Sequence, residues 1–226
     1  MKGQEVKEAA FAQGLYGYTA YDAIPFFDTI KFKEGAPAVP LMRYRLYQYV
    51  IAFNHFKDEI FICENKLNGI ESEYEALLSN IKSKDVPQYP FSLQGAESSN
   101  LTDDAYREAV KKGIQHCMRG DVFQIVLSRR FQQSFQGDEF NVYRTLRNIN
   151  PSPYLFFFDY GDYKLMGSSP EAQIIINNGK AVVHPIAGTF KRTGDALLDA
   201  TMTQQLLDDP KENAEHVMLV DLARND

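Results

Sequence analysis

Alternating apolar and polar positions predict a strand-rich first region. Residues 43–53 are aromatic and β-branched, and residues 59–63 follow after a short polar connection, which indicates a β-hairpin. Glycines and aromatics mix in residues 14–27, a composition that favours a strand and a loop over a helix. In residues 70–84, apolar side chains recur at helical spacing and acidic residues precede lysines, so an amphipathic helix is expected.

A helix followed by a strand is predicted after residue 100. Thr102 or Asp103 is the candidate N-cap of the helix, and Gly120 is its candidate terminator. In residues 121–131, positions 123, 125 and 127 are apolar and face one way, whereas Gln124 faces the other way, because a strand alternates its faces. The sequence therefore predicts a strand that begins directly after Gly120.

Further strands and helices are predicted in the last third of the chain. A helix is expected at residues 140–149, strands within residues 154–167 and 172–186, and two helices after residue 194. Asn178-Gly179 is the strongest hairpin signal, because a type I′ turn needs positive φ at both positions. Strands and helices segregate instead of alternating one for one, so we predict an α+β fold with largely antiparallel strands.

Three regions follow from these patterns. Residues 1–84 are expected to form an N-terminal subdomain, residues 85–100, rich in Pro, Ser and Asn, a connector, and residues 101–226 a second domain. The apolar helical pattern runs to Asp226 without a Gly, a Pro or an exit loop, so we expect a truncated chain and an incomplete second domain.

Composition narrows the classes of function. The 226 residues carry a net charge of -6, which disfavours binding to nucleic acid or to an anionic membrane surface. Cys63 and Cys117 are too few for a disulfide framework and lack the spacing of a zinc site. No stretch approaches the roughly 20 apolar residues of a membrane span, and the N-terminus lacks the apolar core of a signal peptide, so a cytoplasmic location is expected.

Two carboxylates near the start of the last helix are candidates for a metal site. Asp209 is a good N-cap, and Glu212 three residues later fits a capping box. Glu212 and Glu215 also share one helical face with Leu219, and carboxylates that lead into a buried stripe need compensation by an Arg or by a metal cation, for which their oxygen ligands suit Mg²⁺. A packed or hydrogen-bonded role is expected for His216, since an oxygen-rich Mg²⁺ site has little use for imidazole.

A loop and a strand end supply further candidates. Gly188 and Thr189 combine backbone N–H groups and a hydroxyl just before Lys191, which fits a carboxylate cradle as well as an ordinary turn. Glu171 lies at the start of a predicted strand, where an exposed turn acid is the alternative to a site residue.

The motifs GDVFQIVLSRRF, NPSPYLFFFDYGDYKLMGSSPE, HPIAGT and DPKENAEHVMLVDLARND occur in this order. Together they closely resemble the chorismate-utilising enzymes, and within them the component I family of anthranilate synthases. The resemblance implies large, mainly antiparallel sheets packed with helices, and a lyase reaction of tryptophan biosynthesis. In that reaction chorismate and ammonia give anthranilate and pyruvate, Mg²⁺ is the cofactor, and a glutamine amidotransferase subunit supplies the ammonia.

The resemblance also implies roles for single residues. Glu215 is a Mg²⁺ ligand, Glu212 is a proton-transfer group at the reacting centre, Glu171 lines the site, and Gly188 and Thr189 contact the substrate. Relatives that use water carry a lysine base at the position of Gln124, and a glutamine cannot take a proton at neutral pH, which fits ammonia as the nucleophile.

Product and regulation complete the expectations from the resemblance. Aminodeoxychorismate synthases, the alternative within the family, commonly carry lysine where this chain has Ala187. A tryptophan feedback site is implied at Asn150, Pro151, Tyr154, Leu155, Phe156 and Gly167. Segments that complete the family's catalytic site are not found in this sequence, so we expect these 226 residues alone to be inactive. A non-catalytic module that binds the amidotransferase or tryptophan is the alternative from another class.

Overall fold

The computed structural model describes residues 10, 13–32, 38–83 and 85–225. The chain divides into two compact units, Met1–Gln88 and Tyr89–Asp226. Every strand pair in the described ranges is antiparallel, and the pairs form five two-stranded sheets. The predicted α+β class with antiparallel strands is confirmed. No helix in these ranges is long and apolar enough to cross a membrane.

Among its described residues, the first unit contains four strands, a 3₁₀ helix at Tyr21–Phe26 and one α-helix: β1 (Leu15–Thr19), β2 (Met42–Leu46), β3 (Tyr49–Asn54), β4 (Glu59–Glu64) and α1 (Tyr74–Lys82). The predicted hairpin is confirmed as β3–β4. The run at residues 43–53 splits into two strands, because Asn65 binds the chain between them: its side chain donates to the Tyr47 carbonyl at 2.9 Å and its backbone N–H donates to the Gln48 carbonyl at 2.7 Å. β2 pairs with β1 instead.

The helix predicted from residue 70 begins only at Tyr74. Residues 71–73 bind side chains next to β3, where the Gln48 amide donates to the Glu71 carbonyl at 3.0 Å and the Tyr49 hydroxyl accepts from the Glu73 N–H. These tertiary hydrogen bonds replace the first helical turn.

The second unit contains six strands and four helices in the described ranges: β5 (Phe91–Ser99), α2 (Asp103–Met118), β6 (Phe131–Gly137), α3 (Phe140–Ile149), β7 (Tyr154–Asp159), β8 (Lys164–Ser169), β9 (Ile175–Asn177), β10 (Lys180–Val182), α4 (Ala196–Asp208) and α5 (Pro210–Asn225). Thr102 is the N-cap of α2, since its hydroxyl accepts from the Ala105 N–H at 3.2 Å. Asn178 and Gly179 have φ angles of 50° and 74°, which confirms the predicted hairpin turn between β9 and β10.

Two expectations about secondary structure are wrong. Residues 91–99, expected within an irregular connector, form β5, which pairs with β6 across a register shift between Gln94 and Ser98. This polar strand lacks the alternation that sequence patterns depend on. Conversely, residues 121–130 form no strand, because no neighbouring strand in the described part of the chain pairs with them.

The alternation predicted for residues 121–131 nevertheless governs how they pack. A methyl group placed on Gly113 of α2 would lie 3.5 Å from both Ile125 and Leu127, so these two side chains face the helix. The Tyr106 hydroxyl donates to the Leu127 carbonyl at 3.4 Å. Ile125 and Leu127 of the predicted apolar face therefore pack on α2, whereas Phe123 of the same face is 91% exposed.

Aromatic side chains hold α3 against β7 and β8. The Phe157 ring meets Phe140 edge to face at 5.0 Å and Tyr143 at 5.6 Å. Tyr160, only 5% exposed, extends this packing at the end of the hairpin, 5.9 Å from Phe158. This cluster is the main apolar core of the second unit.

Candidate functional site

The first turn of α5 fixes the position of Glu212. The Asp209 carboxylate caps the helix, because Oδ1 accepts from the Lys211 N–H at 2.8 Å and from the Glu212 N–H at 3.1 Å. Glu212 returns no capping hydrogen bond. Its Oε2 is buried and has no hydrogen-bond partner in the described part of the chain. Burial of a carboxylate oxygen without a hydrogen-bond partner costs free energy. The position of Glu212 therefore favours the binding of a ligand over capping of the helix.

Gly188 lies directly against this carboxylate. A Cβ added to Gly188 would lie 2.6 Å from Cδ of Glu212, closer than real Cβ contacts allow. Because glycine leaves this space open, the loop backbone and the carboxylate approach each other closely. The structure therefore brings together two residues that are 24 positions apart in the sequence.

Glu171 contacts the same loop. Its Oε1 accepts a hydrogen bond from the Ile186 N–H at 3.2 Å, two residues before Gly188. No lysine or arginine in the described ranges forms an ion pair with Glu171 or Glu212. Two carboxylates thus flank one loop without a cation of the protein beside them, an arrangement that favours a cationic or proton-donating partner.

Sequence reasoning missed the groups that position Glu171. The Ser169 hydroxyl donates to the Glu171 carbonyl at 2.9 Å and accepts from the Glu171 N–H at 3.3 Å. The signal was present in the sequence, since Ser-Pro-Glu is a pattern in which a hydroxyl binds the backbone two residues later.

The other expected ligands lie nearby and are more open to solvent. Glu215 is exposed one helical turn beyond Glu212, on the same side of α5. Ala187 is half-buried, and Thr189 is exposed. No group of three or more Asp, Glu, His or Cys side chains in the described residues could hold a metal ion. The carboxylates of Glu212 and Glu215 fit Mg²⁺ as a partial set, because this ion retains waters and needs few protein carboxylates.

Gln124 lies beside the second half of α5. It lines a cavity of about 280 Å³ together with Met218, Asp221 and Leu222 of that helix. In the described part of the chain, no hydrogen bond joins Gln124 to Glu171 or Glu212. The structure thus places Gln124 beside the helix that carries Glu212 and Glu215, farther toward the end of that helix.

The residues expected for feedback inhibition gather at the start of the β7–β8 hairpin. Phe156 pairs with Gly167, and a Cβ on Gly167 would lie 2.5 Å from the Phe156 ring, so the ring covers the glycine. The Ser168 hydroxyl donates to the Asn150 carbonyl at 2.7 Å. Tyr154 and Leu155 continue the same strand, and Pro151 precedes it. This group is separate in sequence from the loop at Gly188.

Comparison with known proteins identifies the family. A family model described as "chorismate binding enzyme" matches residues 2–226. The chain belongs to the chorismate-binding enzyme family. Anthranilate synthase component 1 of Aquifex aeolicus is 37% identical over 96% of this chain and 47% of its own length. Anthranilate synthase component 1 of Lactococcus lactis is 34% identical, over 96% of this chain and 49% of its own length.

A solved structure shows the same relation for this chorismate-binding chain. The crystal structure of anthranilate synthase component I from Streptococcus pneumoniae matches with a TM-score of 0.75 and 31% identity. The match covers 99% of this chain and 52% of that one. This member of the chorismate-binding family therefore spans about half the length of the relatives that it matches.

Proposed function

We propose that this chain is part of the large subunit of an anthranilate synthase, which converts chorismate and ammonia to anthranilate, pyruvate and water. The observation that carries the proposal is the buried, unpartnered Oε2 of Glu212 beside Gly188. Membership of the chorismate-binding family and the names of the relatives support the same reaction.

The residues divide the chemistry between them. Glu212, as the carboxylic acid, donates a proton to the leaving hydroxyl of chorismate. Glu171 orders the loop that carries Ala187, Gly188 and Thr189, whose polar groups orient the substrate. Glu215 holds Mg²⁺, which neutralises the ring carboxylate of the substrate when bound.

Gln124 selects the nucleophile. A glutamine amide takes no proton at neutral pH, so it cannot activate water, whereas ammonia attacks without a base. We propose that a glutamine amidotransferase subunit supplies this ammonia in the cytoplasm. Tryptophan is the proposed feedback inhibitor, bound by the residues gathered around Phe156 and Gly167.

The test is product analysis. The chain is incubated with chorismate, Mg²⁺ and ammonium, both alone and co-expressed with the part of the Aquifex aeolicus relative that it does not match. We expect anthranilate, identified by fluorescence and chromatography, only from the co-expressed sample. Glu212→Gln should lower the rate by about 100-fold or more, as expected for loss of a general acid. Glu75→Gln, an exposed residue of α1, is the matched control.

Two results would count against the proposal, and a third against the expectation that the chain alone is inactive. An aminodeoxychorismate product would favour the alternative reaction, although Ala187 stands where those enzymes carry lysine. Unchanged activity of Glu212→Gln would remove Glu212 from the chemistry. Anthranilate formation by the chain alone would show that these 226 residues suffice.

A further inference from the structure

Three serines lie together where the β7–β8 ladder ends. The last pair of the ladder is Tyr154 with Ser169. Beyond this pair, the Ser152 hydroxyl lies 2.7 Å from the Ser168 hydroxyl and 2.8 Å from the Ser169 carbonyl. The serine cluster, formed by Ser152, Ser168 and Ser169, therefore continues the connection between the two segments after the regular strand pairing stops.

A count of hydroxyl protons shows what Ser152 contributes to the cluster. Each serine hydroxyl has one proton to donate. The Ser168 hydroxyl donates to the Asn150 carbonyl at 2.7 Å, so its proton is used there. The proton of Ser152 is then the one available for the contacts with the Ser168 hydroxyl and the Ser169 carbonyl. Replacing Ser152 by alanine would remove both contacts at once.

The serine cluster connects to Glu171 through Ser169. The Ser169 hydroxyl binds both the N–H and the carbonyl of Glu171, whose carboxylate accepts from the Ile186 N–H. Glu171 is exposed, lies between β8 and β9, and forms no ion pair in the described ranges. Because neither burial nor an ion pair orients this carboxylate, its direction depends on the backbone turn and on the hydrogen bond to Ile186.

We propose that Ser152 is a positioning residue that holds the Glu171 carboxylate on the Ile186 N–H. It acts through the backbone of Ser169 and fixes the loop that places Gly188 against the carboxylate of the last helix. This inference rests on the proposed function, because that loop is the proposed contact with chorismate.

Amide hydrogen exchange in the chain alone tests the first step. In the described part of the chain, the Ile186 N–H donates to Glu171 and to no backbone carbonyl. Ser152→Ala should therefore accelerate exchange of the Ile186 amide at least threefold and leave the amides of α3 unchanged. Ser134→Ala removes an exposed hydroxyl of β6 and is the matched control, in which exchange of Ile186 should stay the same.

A double variant tests whether Ser152 acts through Glu171. Glu171→Ala removes the acceptor itself and should accelerate exchange of Ile186 at least as much as Ser152→Ala does. Adding Ser152→Ala to Glu171→Ala should then cause no further acceleration, because the two residues share one path. A further acceleration would overturn the proposal, since Ser152 would then protect Ile186 by another route.

Steady-state kinetics test the second step, in the sample co-expressed with the unmatched part of the Aquifex aeolicus relative. A loosened loop should raise the KM for chorismate at least threefold in Ser152→Ala and leave the KM for ammonium unchanged. Loss of folded enzyme would instead lower kcat and change neither KM. Ser134→Ala should leave kcat and both KM values unchanged.

Other outcomes overturn the proposal. Unchanged exchange of Ile186 in Ser152→Ala would show that the serine does not hold the carboxylate. Equal acceleration of Ile186 and of the α3 amides would show a loss of global stability. Faster exchange with an unchanged KM for chorismate would show that Ser152 does not position the site. If the unsubstituted co-expressed sample makes no anthranilate, the proposed function fails, and the exchange experiments alone decide whether Ser152 holds Glu171.

Discussion

Two regions of the second unit, both predicted to contain strands, differ in whether the strands find a pairing partner. The β7–β8 hairpin forms a full six-residue ladder and packs on α3 through Phe140, Tyr143 and Phe157. Residues 122–129, predicted as a strand from alternating apolar residues, form no ladder in the described part of the chain, and Phe123 and Val126 are 91% and 84% exposed.

The difference lies in where the partners are. In the hairpin, β8 begins five residues after the end of β7, and the covering helix α3 directly precedes β7 in the sequence. In the described part of the chain, the neighbours of residues 122–129 are helices: Ile125 and Leu127 face α2, and Gln124 lies beside α5, and a helix cannot extend a sheet. Alternation therefore specifies which side chains share a face, whereas a strand also needs a neighbour to supply hydrogen bonds.

Removing an aromatic ring should give the largest difference between the two regions in the free energy of unfolding. Phe157→Ala should lower the free energy of unfolding by about 2–4 kcal/mol, because the half-buried ring contacts two other rings of the core. Phe123→Ala should change it by less than about 0.5 kcal/mol, because the ring is 91% exposed. Urea unfolding followed by circular dichroism measures both. Equal effects would show that the exposed ring is packed in solution.

The second prediction concerns the covered face of the unpaired segment. Gly113→Leu should lower the free energy of unfolding by about 1–3 kcal/mol, because the larger side chain displaces Ile125 and Leu127 from α2.

Gly113→Ala is the control and should raise the free energy of unfolding by about 0.5–1 kcal/mol. Its methyl group would meet both side chains at an ordinary 3.5 Å, and alanine favours the helix over glycine. If Gly113→Leu is as stable as Gly113→Ala in urea unfolding, the segment does not pack on α2.

Local signals predicted the fold well where the causes were local. The cap at Thr102, the turn at Asn178-Gly179 and α3 at residues 140–149 all depend on a few adjacent residues. β5 was missed because its polar residues are held by pairing with β6, more than 30 residues away in sequence. The break between β2 and β3 was missed because it depends on Asn65.

The candidate site could be predicted as a set of residues, but its geometry could not. The motifs pointed to Glu171, Gly188 and Glu212 one by one. That the Glu171 carboxylate binds the Ile186 N–H, and that Gly188 leaves space for the Glu212 carboxylate, are consequences of tertiary packing. The roles of Glu215 and Gln124 stay predictions, since their partners are a metal ion and a substrate.

The stability of the β7–β8 hairpin and α3 should depend on pH through one ion pair. This is the smallest of the effects that we expect. Nζ of Lys164 lies 2.9 Å from Oε1 of Glu139, the residue that precedes α3. Each of the two side chains is about a quarter exposed. The hydrogen bond from Lys164 lowers the pKa of Glu139 below its ordinary 4.5, and the hydrogen bond to Glu139 raises the pKa of Lys164 above its ordinary 10.5.

The signs of these shifts fix the pH window. The pKa of Glu139 is lower in the folded state than in the unfolded state. Its contribution to the free energy of unfolding is therefore complete at a pH above the unfolded-state pKa, and is lost as the pH falls through the folded-state pKa. The pKa of Lys164 is higher in the folded state than in the unfolded state. Its contribution to the free energy of unfolding is therefore complete at a pH below the unfolded-state pKa, and is lost as the pH rises through the folded-state pKa.

We therefore expect Glu139→Gln to lower the urea midpoint at neutral pH and to match the unchanged protein in acid, where Glu139 is protonated. The difference should be small and should shrink in high salt, because water and ions screen partly exposed charges. Glu75→Gln, in the first turn of α1, controls for a general loss of negative charge. If the difference in urea midpoint persists undiminished below the folded pKa of Glu139, the glutamine perturbs the packing of α3 on β8. The ion pair then contributes nothing to the stability of the hairpin and α3.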